Sequence, residues 1–221
     1  MCTLLRKKII TASLVSLVIL ISFQPASSAA RKEIKLVKPA QTGGMPLMNA
    51  LARRQSSRSF AERPLPDQVL SNLLWAAAGV NRPDSGKRTA PSAMNKQEID
   101  IYVAMKEGLY LYDAKKHALT LILDKDIRSL TGRQGFVNNA ALNLVYVADM
   151  SSAAGLNHED KLLYASADTG FIGQNVYLFC ASEGLSTVIR GFIDKDALGK
   201  AMNLKSSQMI ILSQTVGYPE K

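Results

Sequence analysis

The sequence predicts an α+β fold, with a mostly antiparallel central sheet, helices around it and one long buried helix. Three observations carry this. Apolar residues alternate with period two in three short runs between positions 99 and 123, separated by turn residues, which is the pattern of a β-meander. Residues 158–183 form an unbroken helical pattern, capped by Asn157 and closed by Gly184. A second helical face opens after Pro64-Leu65-Pro66 and stops at Gly79.

Taken in order, Arg31 to Gly44 is polar and basic and reads as an extended arm, residues 30–44. Leu47, Met48 and Leu51 sit at helical spacing and place a short helix over Met45 to Arg54. Val69, Leu70, Leu73, Leu74 and Ala77 share one face of the next helix. The Pro-, Gly- and Ser-rich stretch Asn81 to Asn95 reads as a long loop. Ile99 to Val103, Leu109 to Tyr112 and Ala118 to Leu123 are the meander strands. A short helix near Asp126 to Leu130 precedes a strand at Leu142 to Ala148. In the long helix, Leu162, Ala165, Phe171, Ile172, Val176, Phe179 and Cys180 crowd every side, which predicts a central, buried element. Strands at Thr187 to Ile189 and Met209 to Leu212 flank a last short helix, Lys195 to Met202.

Composition excludes several classes. The chain has 221 residues, 27 Lys+Arg against 18 Asp+Glu, and 47% hydrophobic residues with one long apolar run, so it is neither disordered nor polytopic. Two His and two Cys, scattered, are too few for a zinc centre, and no metal site is expected.

Residues 1–29 have the layout of a signal peptide. Arg6, Lys7 and Lys8 start it, Ile9 to Phe23 is apolar, and Ser27 to Ala30 supply small residues for cleavage. The run contains Thr11, Ser13, Ser16 and Ser22 and falls short of the roughly 20 apolar residues a span requires, so no stable membrane anchor remains after cleavage. The expected localisation is exported, periplasmic or secreted in a bacterium. Removing the three leader cations leaves 24 against 18 acids, a charge of +6 rather than +9. Cys2 leaves with the leader, so Cys180 has no intramolecular partner and reads as a buried, inert thiol.

The common nucleotide-binding fingerprints and the serine-hydrolase elbow do not occur. Asp168-Thr169-Gly170 resembles an aspartic-protease triplet, but it lies inside the long helix, where two carboxylates on rigid loops would be needed. Arg53-Arg54-Gln55-Ser56-Ser57-Arg58-Ser59-Phe60 packs three guanidiniums and three hydroxyls at a helix end, the donor set a phosphate dianion takes; a solvated basic face is the plain alternative. Pro91-Ser92-Ala93-Met94-Asn95-Lys96-Gln97 leads into the first meander strand with small and amide side chains suited to the edge of a flat heterocycle. Arg190-Gly191-Phe192 follows a strand, where Gly191 lets backbone approach a ligand closely. The tail is Val216-Gly217-Tyr218-Pro219-Glu220-Lys221.

In this order and spacing, the motifs resemble the FMN-dependent nitroreductase family, closest to its azoline (thiazole/oxazole) dehydrogenase-like branch. The resemblance spans residues 45–221. It rests on the Arg-Arg-x-Ser-x-Arg-x-Phe and Pro-Ser-x-x-Asn-x-Gln patterns, the meander Glu98 to Asp113, Gly170-x-x-x-Gln174-Asn175-x-Tyr177-Leu178, Gly191-Phe192 and Gly217-Tyr218-Pro219. It implies that Arg54, Gln55, Ser56 and Arg58 hold the FMN phosphate, ribityl chain and pyrimidine edge, and that Lys221 reaches the phosphate. It further implies that Pro91, Ser92, Ala93 and Asn95 cover the isoalloxazine from the partner subunit of a homodimer, with backbone at Arg190 and Gly191 facing flavin N5 and O4. No protein side chain is expected to be catalytic, because flavin N5 carries the redox chemistry. The implied function is hydride transfer from a reduced donor such as NAD(P)H to a small organic acceptor, a nitro compound or quinone. The Lys-Tyr dipeptide of the azoline dehydrogenases does not occur here, which speaks against peptide azoline oxidation. The competing expectation is a non-catalytic exported binding protein for an anionic partner. Nucleic acid is not expected, because the basic residues lack aromatic interleaving.

Overall fold

The computed structural model describes residues 32–152 and 155–220. The leader over residues 1–29 and the terminal Lys221 lie outside them. In chain order the elements are β1 (Glu33–Lys35), α1 (Leu47–Arg53), α2 (Asp67–Ala78), β2 (Val80–Arg82), β3 (Lys87–Arg88), β4 (Ile99–Met105), β5 (Gly108–Asp113) and β6 (Ala118–Leu123). Then follow β7 (Leu142–Asp149), α3 (His158–Glu183), β8 (Ser186–Arg190), α4 (Lys195–Ala201) and β9 (Gln208–Gly217). Seven strands make one sheet in the order β1-β6-β5-β4-β7-β9-β8, and every neighbouring pair is antiparallel.

Period-two alternation decides which residues meet which layer. Ile99, Ile101 and Val103 of β4 and Leu144 and Tyr146 of β7 pack with Leu73, Leu74 and Ala77 of α2 and Ile172 and Val176 of α3. Their neighbours Tyr102, Ala104, Val145 and Val147 turn the other way, onto Leu198 and Met202 around α4. Because both faces are covered at its centre, β7 is an almost continuous apolar run and is buried throughout except at Asp149. The β4–β5 turn closes on Gly108 at φ +154, where an added Cβ would meet the Leu123 carbonyl at 2.6 Å.

Several expectations are corrected. The arm is not free of the fold: its strand β1 pairs with β6 in register Ile34 to Leu119 and takes the sheet edge. The loop Asn81 to Asn95 contains the β2–β3 hairpin and a 3-10 turn over Ala93–Asn95. The short helix near 126–130 is a 3-10 turn, Arg128–Thr131, and the last strand runs on to Gly217.

α3 is bounded as expected, with the Asn157 side chain accepting the Asp160 N–H and Gly184 in the left-handed conformation. It is not buried all round. Ala165, Ile172, Val176 and Cys180 face the core, whereas Leu163 and Phe171 are 62% and 48% exposed. Apolar residues alone do not distinguish a face packed within one chain from a face left for a second one.

Candidate functional site

The Arg-rich stretch is positioned from both ends. α1 ends at Arg53, and Arg54 takes extended backbone that turns the chain along β8, the outermost strand of the sheet. The Ser57 N–H donates to the Thr187 carbonyl at 2.9 Å and the Ala61 N–H to the Tyr218 carbonyl at 2.9 Å, so residues 57–61 cover an edge that would otherwise be unpaired. Phe60 is the anchor: it is buried against Ala140 and Val188, with its ring 5.5 Å from that of Phe136.

This leaves Gln55, Ser56 and Arg58 exposed and Arg54 half-buried, with Gln55 on the wall of a cleft of about 450 Å³. Arg53, Gln55, Tyr177, Ser186, Thr187 and Pro219 line that cleft. The Arg54 guanidinium lies 5.3 Å from the Tyr177 ring centroid, and the Ser186 hydroxyl donates to Ser57 Oγ at 3.1 Å. Among the described residues neither Arg54 nor Arg58 forms an ion pair, whereas Arg128 and Arg133 are matched by Asp126 and Asp194. Two unneutralised guanidiniums beside clustered hydroxyls fit an anionic group with several acceptor oxygens.

Tyr177, in the α3 pattern Gln174-Asn175-x-Tyr177-Leu178, is a site residue beyond those the sequence motifs point to. Its hydroxyl bridges the site's two halves, 2.8 Å from Ser56 Oγ and accepting the Ile189 N–H at 3.0 Å.

Arg190 and Gly191 lie where β8 ends. The Arg190 side chain turns inward and is 6% exposed, with Nη1 donating to the Thr131 carbonyl at 3.0 Å and Nη2 to Asn143 Oδ1 at 3.0 Å and Thr215 Oγ1 at 2.7 Å. With no carboxylate beside it, burial lowers its guanidinium to about 10. The Arg190 side chain is therefore structural, while the exposed Gly191 presents only backbone to solvent.

The loop Pro91–Asn95 is elsewhere. It borders a separate small cavity lined by Arg88, Pro91, Ser92, Gln97 and Asp168, which shares no lining residue with the Arg-rich cleft. Asp168 Oδ2 accepts the Ala93 N–H at 2.9 Å and ties the loop to α3. Asp168 and Tyr177 are nine positions apart, about 13.5 Å along the helix and half a turn around it. In one chain, the loop and the Arg-rich stretch thus flank opposite edges of the buried face of α3. Lys221, the remaining predicted site residue, lies outside the described residues. Among the described residues no group of His, Cys, Asp and Glu could hold a metal ion.

Comparison with known proteins agrees with this layout. The sequence model described as Nitroreductase family matches residues 51–218, from α1 to the Gly217-Tyr218 tail. A Methanocaldococcus jannaschii protein assigned as a nitroreductase is 28% identical over 176 residues, 75% of this chain and 88% of the relative. The crystal structure of a Ralstonia eutropha JMP134 protein assigned as a nitroreductase superposes with a TM-score of 0.85 at 43% identity, over 90% of this chain and 94% of that one. The same fold, at a TM-score of 0.59 and 19% identity over 79% of this chain and 69% of the other, occurs in the NADPH:FMN oxidoreductase of Vibrio harveyi complexed with NAD+. An antiparallel sheet edged by an Arg- and Ser-rich stretch, the matched span and the Ralstonia superposition lead to one assignment: this chain is a member of the nitroreductase family of flavin oxidoreductases.

Proposed function

We propose that this chain is an exported, FMN-dependent oxidoreductase that works as a homodimer and passes a hydride from a reduced donor, NAD(P)H or another, to a small organic acceptor such as a nitro compound or quinone. The observation that carries the reading is the pair Arg54 and Arg58, exposed or half-exposed without acidic partners, on a stretch that also offers Gln55 and Ser56. In this reading the guanidiniums bind the FMN phosphate, with Lys221 extending from the tail. Gln55 and Ser56 bond the ribityl chain and pyrimidine edge. Backbone at Arg190 and Gly191 faces the ring system.

FMN, when bound, supplies the hydride-accepting and hydride-donating atom, N5. The protein binds and orients both partners and shields the ring from water. The homodimer is supported by the placement of the Pro91–Asn95 loop away from the Arg-rich cleft and by the apolar face of α3 left open in one chain. The partner's loop then closes each site. Export is supported by the basic start and short apolar run of residues 1–29.

The purified protein is expected to show an oxidised-flavin absorbance spectrum, with Arg58→Ala weakening FMN binding by roughly tenfold or more, one charge-assisted contact. A colourless protein that takes up no FMN would overturn the reading. A comparison of NADH, NADPH and a reduced quinone in steady-state turnover identifies the donor.

A further inference from the structure

The loop that follows Pro91 is held in an unfavourable backbone conformation. Met94, Asn95 and Gln97 all have positive φ, at 52°, 54° and 52°, which side chains rarely adopt. Ser92 organises the loop from within, its carbonyl accepting the Asn95 N–H and its Oγ the Gln97 N–H, both at 3.0 Å. The tie to α3 is Asp168.

Asp168 does not stand alone. Glu98, at the end of the same loop, is 4% exposed, and Asp168 is 3% exposed. Among the described residues no donor completes a hydrogen bond to either Glu98 carboxyl oxygen, and the groups the carboxyl meets are its own backbone N–H and the Asp168 carboxyl. Two ionised carboxylates cannot share a buried site without a proton between them. The cation facing Glu98 is Arg88 on β3, which is itself faced by Tyr112, Asp100 and Asp113 and has a buried Nε without a partner.

We propose that Glu98 and Asp168 share one proton and form a latch that positions the Pro91–Asn95 loop for the cofactor. Protonated Glu98 donates its O–H to Asp168, and the single remaining negative charge is spent on the Ala93 N–H. Glu98 and Asp168 are positioning residues: neither touches the reacting atoms. The inference rests on the flavin reading above for the loop's purpose, while the latch itself can be tested without flavin.

Burial, and after it the Asp168 carboxyl, pushes Glu98 up to about 7. A carboxyl raised in this way contributes its stability below its unfolded value near 4.5 and loses it as pH rises through about 7. Above that pH the latch carries two charges, and the loop is released.

The test uses the full chain without FMN and follows the Ala93 amide resonance by NMR. It is expected to titrate with a midpoint near 7, to stay flat in Glu98→Gln, whose amide donates to Asp168 at every pH, and to shift to lower pH in Asp168→Asn, which removes the neighbouring carboxylate and leaves burial alone to raise Glu98. Either variant suffices if the other fails to fold. The FMN dissociation constant of the wild type, divided by that of Glu98→Gln, is then expected to rise roughly eightfold from about pH 6.5 to about pH 8. Taking the ratio removes the second ionisation of the flavin phosphate, which both proteins meet equally. An Ala93 resonance that does not titrate, or one that titrates equally in Glu98→Gln, overturns the latch. If Ala93 titrates as expected and neither protein binds FMN, the latch stands and the flavin reading falls.

Discussion

The hydroxyls of Ser56 and Tyr177 lie 2.8 Å apart, and Tyr177 also accepts the Ile189 N–H at 3.0 Å. With that lone pair occupied, the tyrosine O–H is free to donate to Ser56 Oγ, which leaves the serine proton free to be donated into the cleft. One side chain on α3 thereby sets the donor direction of a residue on the Arg-rich stretch and secures the backbone of β8. Tyr177→Phe removes both contacts, leaving the Ile189 N–H without its acceptor. A loss of about 1–3 kcal/mol in denaturant unfolding is expected, together with weaker FMN binding at unchanged phosphate dependence. Unaltered FMN affinity would show that Ser56 does not face the cofactor.

Gly132 is needed for what approaches it rather than for its own backbone, since its φ is extended. A Cβ there would collide with Arg190 Nη1 and lie 2.8 Å from Gln134 Oε1. The guanidinium is fixed by Thr131, Asn143 and Thr215 and cannot withdraw without breaking those bonds. Gly132→Ala is expected to cost about 2–3 kcal/mol, the scale of lost hydrogen bonds to a charged group. In the double variant with Arg190→Met the two costs should fall well short of additive, because the clash disappears with the guanidinium. Additive costs in the cycle would mean that the two residues do not interact.

Most of the sheet was legible in the sequence because its signals are local. The alternation Ile99-Ile101-Val103, the Asn157 cap and the Gly184 stop each depend on a few adjacent residues and appear where expected. The Arg53 to Phe60 stretch was legible as a binding motif for the same reason. What was missed is nonlocal. β1 is three residues whose strand character comes from pairing with β6. Tyr177, Asp168 and Glu98 acquire their roles from partners up to 121 positions away, which no spacing within the chain encodes. The all-round apolar pattern of α3 could not tell core from intermolecular face, since both demand the same residues.

That open face carries a prediction of its own. Leu163 and Phe171 are exposed on α3, and Leu47 and Met48 are 62% and 74% exposed on α1, which packs against it. Exposed apolar side chains on two packed helices are buried by a second copy in the dimer proposed here. Phe171→Asp places a charge in that interface and is expected to give a monomer by light scattering. It should also lose FMN, although no residue of the phosphate end has changed, because the partner's loop is gone. A monomer that retains full FMN affinity would show that one chain completes the site.

The arm is fastened to the domain through His117. Tyr112 OH lies 2.9 Å from Nδ1, Ser71 Oγ lies 2.8 Å from Nε2, and the Ser71 hydroxyl donates to the Val37 carbonyl in the arm. Because Ser71 has one proton and gives it to Val37, Nε2 must be the imidazole donor to Ser71, and Nδ1 is then the acceptor from Tyr112. In the neutral ring the chain of bonds runs in one direction, and protonation turns Nδ1 into a donor facing the Tyr112 hydroxyl. Burial lowers His117, against the pull of the Val37 carbonyl, in agreement with that tautomer. The sign of the pH dependence follows. A histidine depressed on folding contributes stability that is present above its unfolded value near 6.5 and is lost as pH falls through the folded one. This is opposite to Glu98, whose contribution fades as pH rises, so the two are separated by where unfolding starts. As pH falls below the ordinary histidine value near 6.5 and through the lowered folded one, the amide of Leu36, which donates to the His117 carbonyl at 3.1 Å, is expected to exchange faster than those of β4. Limited proteolysis should cut within the arm before any cut in the sheet. His117→Gln keeps a donor and an acceptor with no titration in this range and should abolish the pH effect. Arm protection that falls equally with acid in His117→Gln would rule the imidazole out as the fastening.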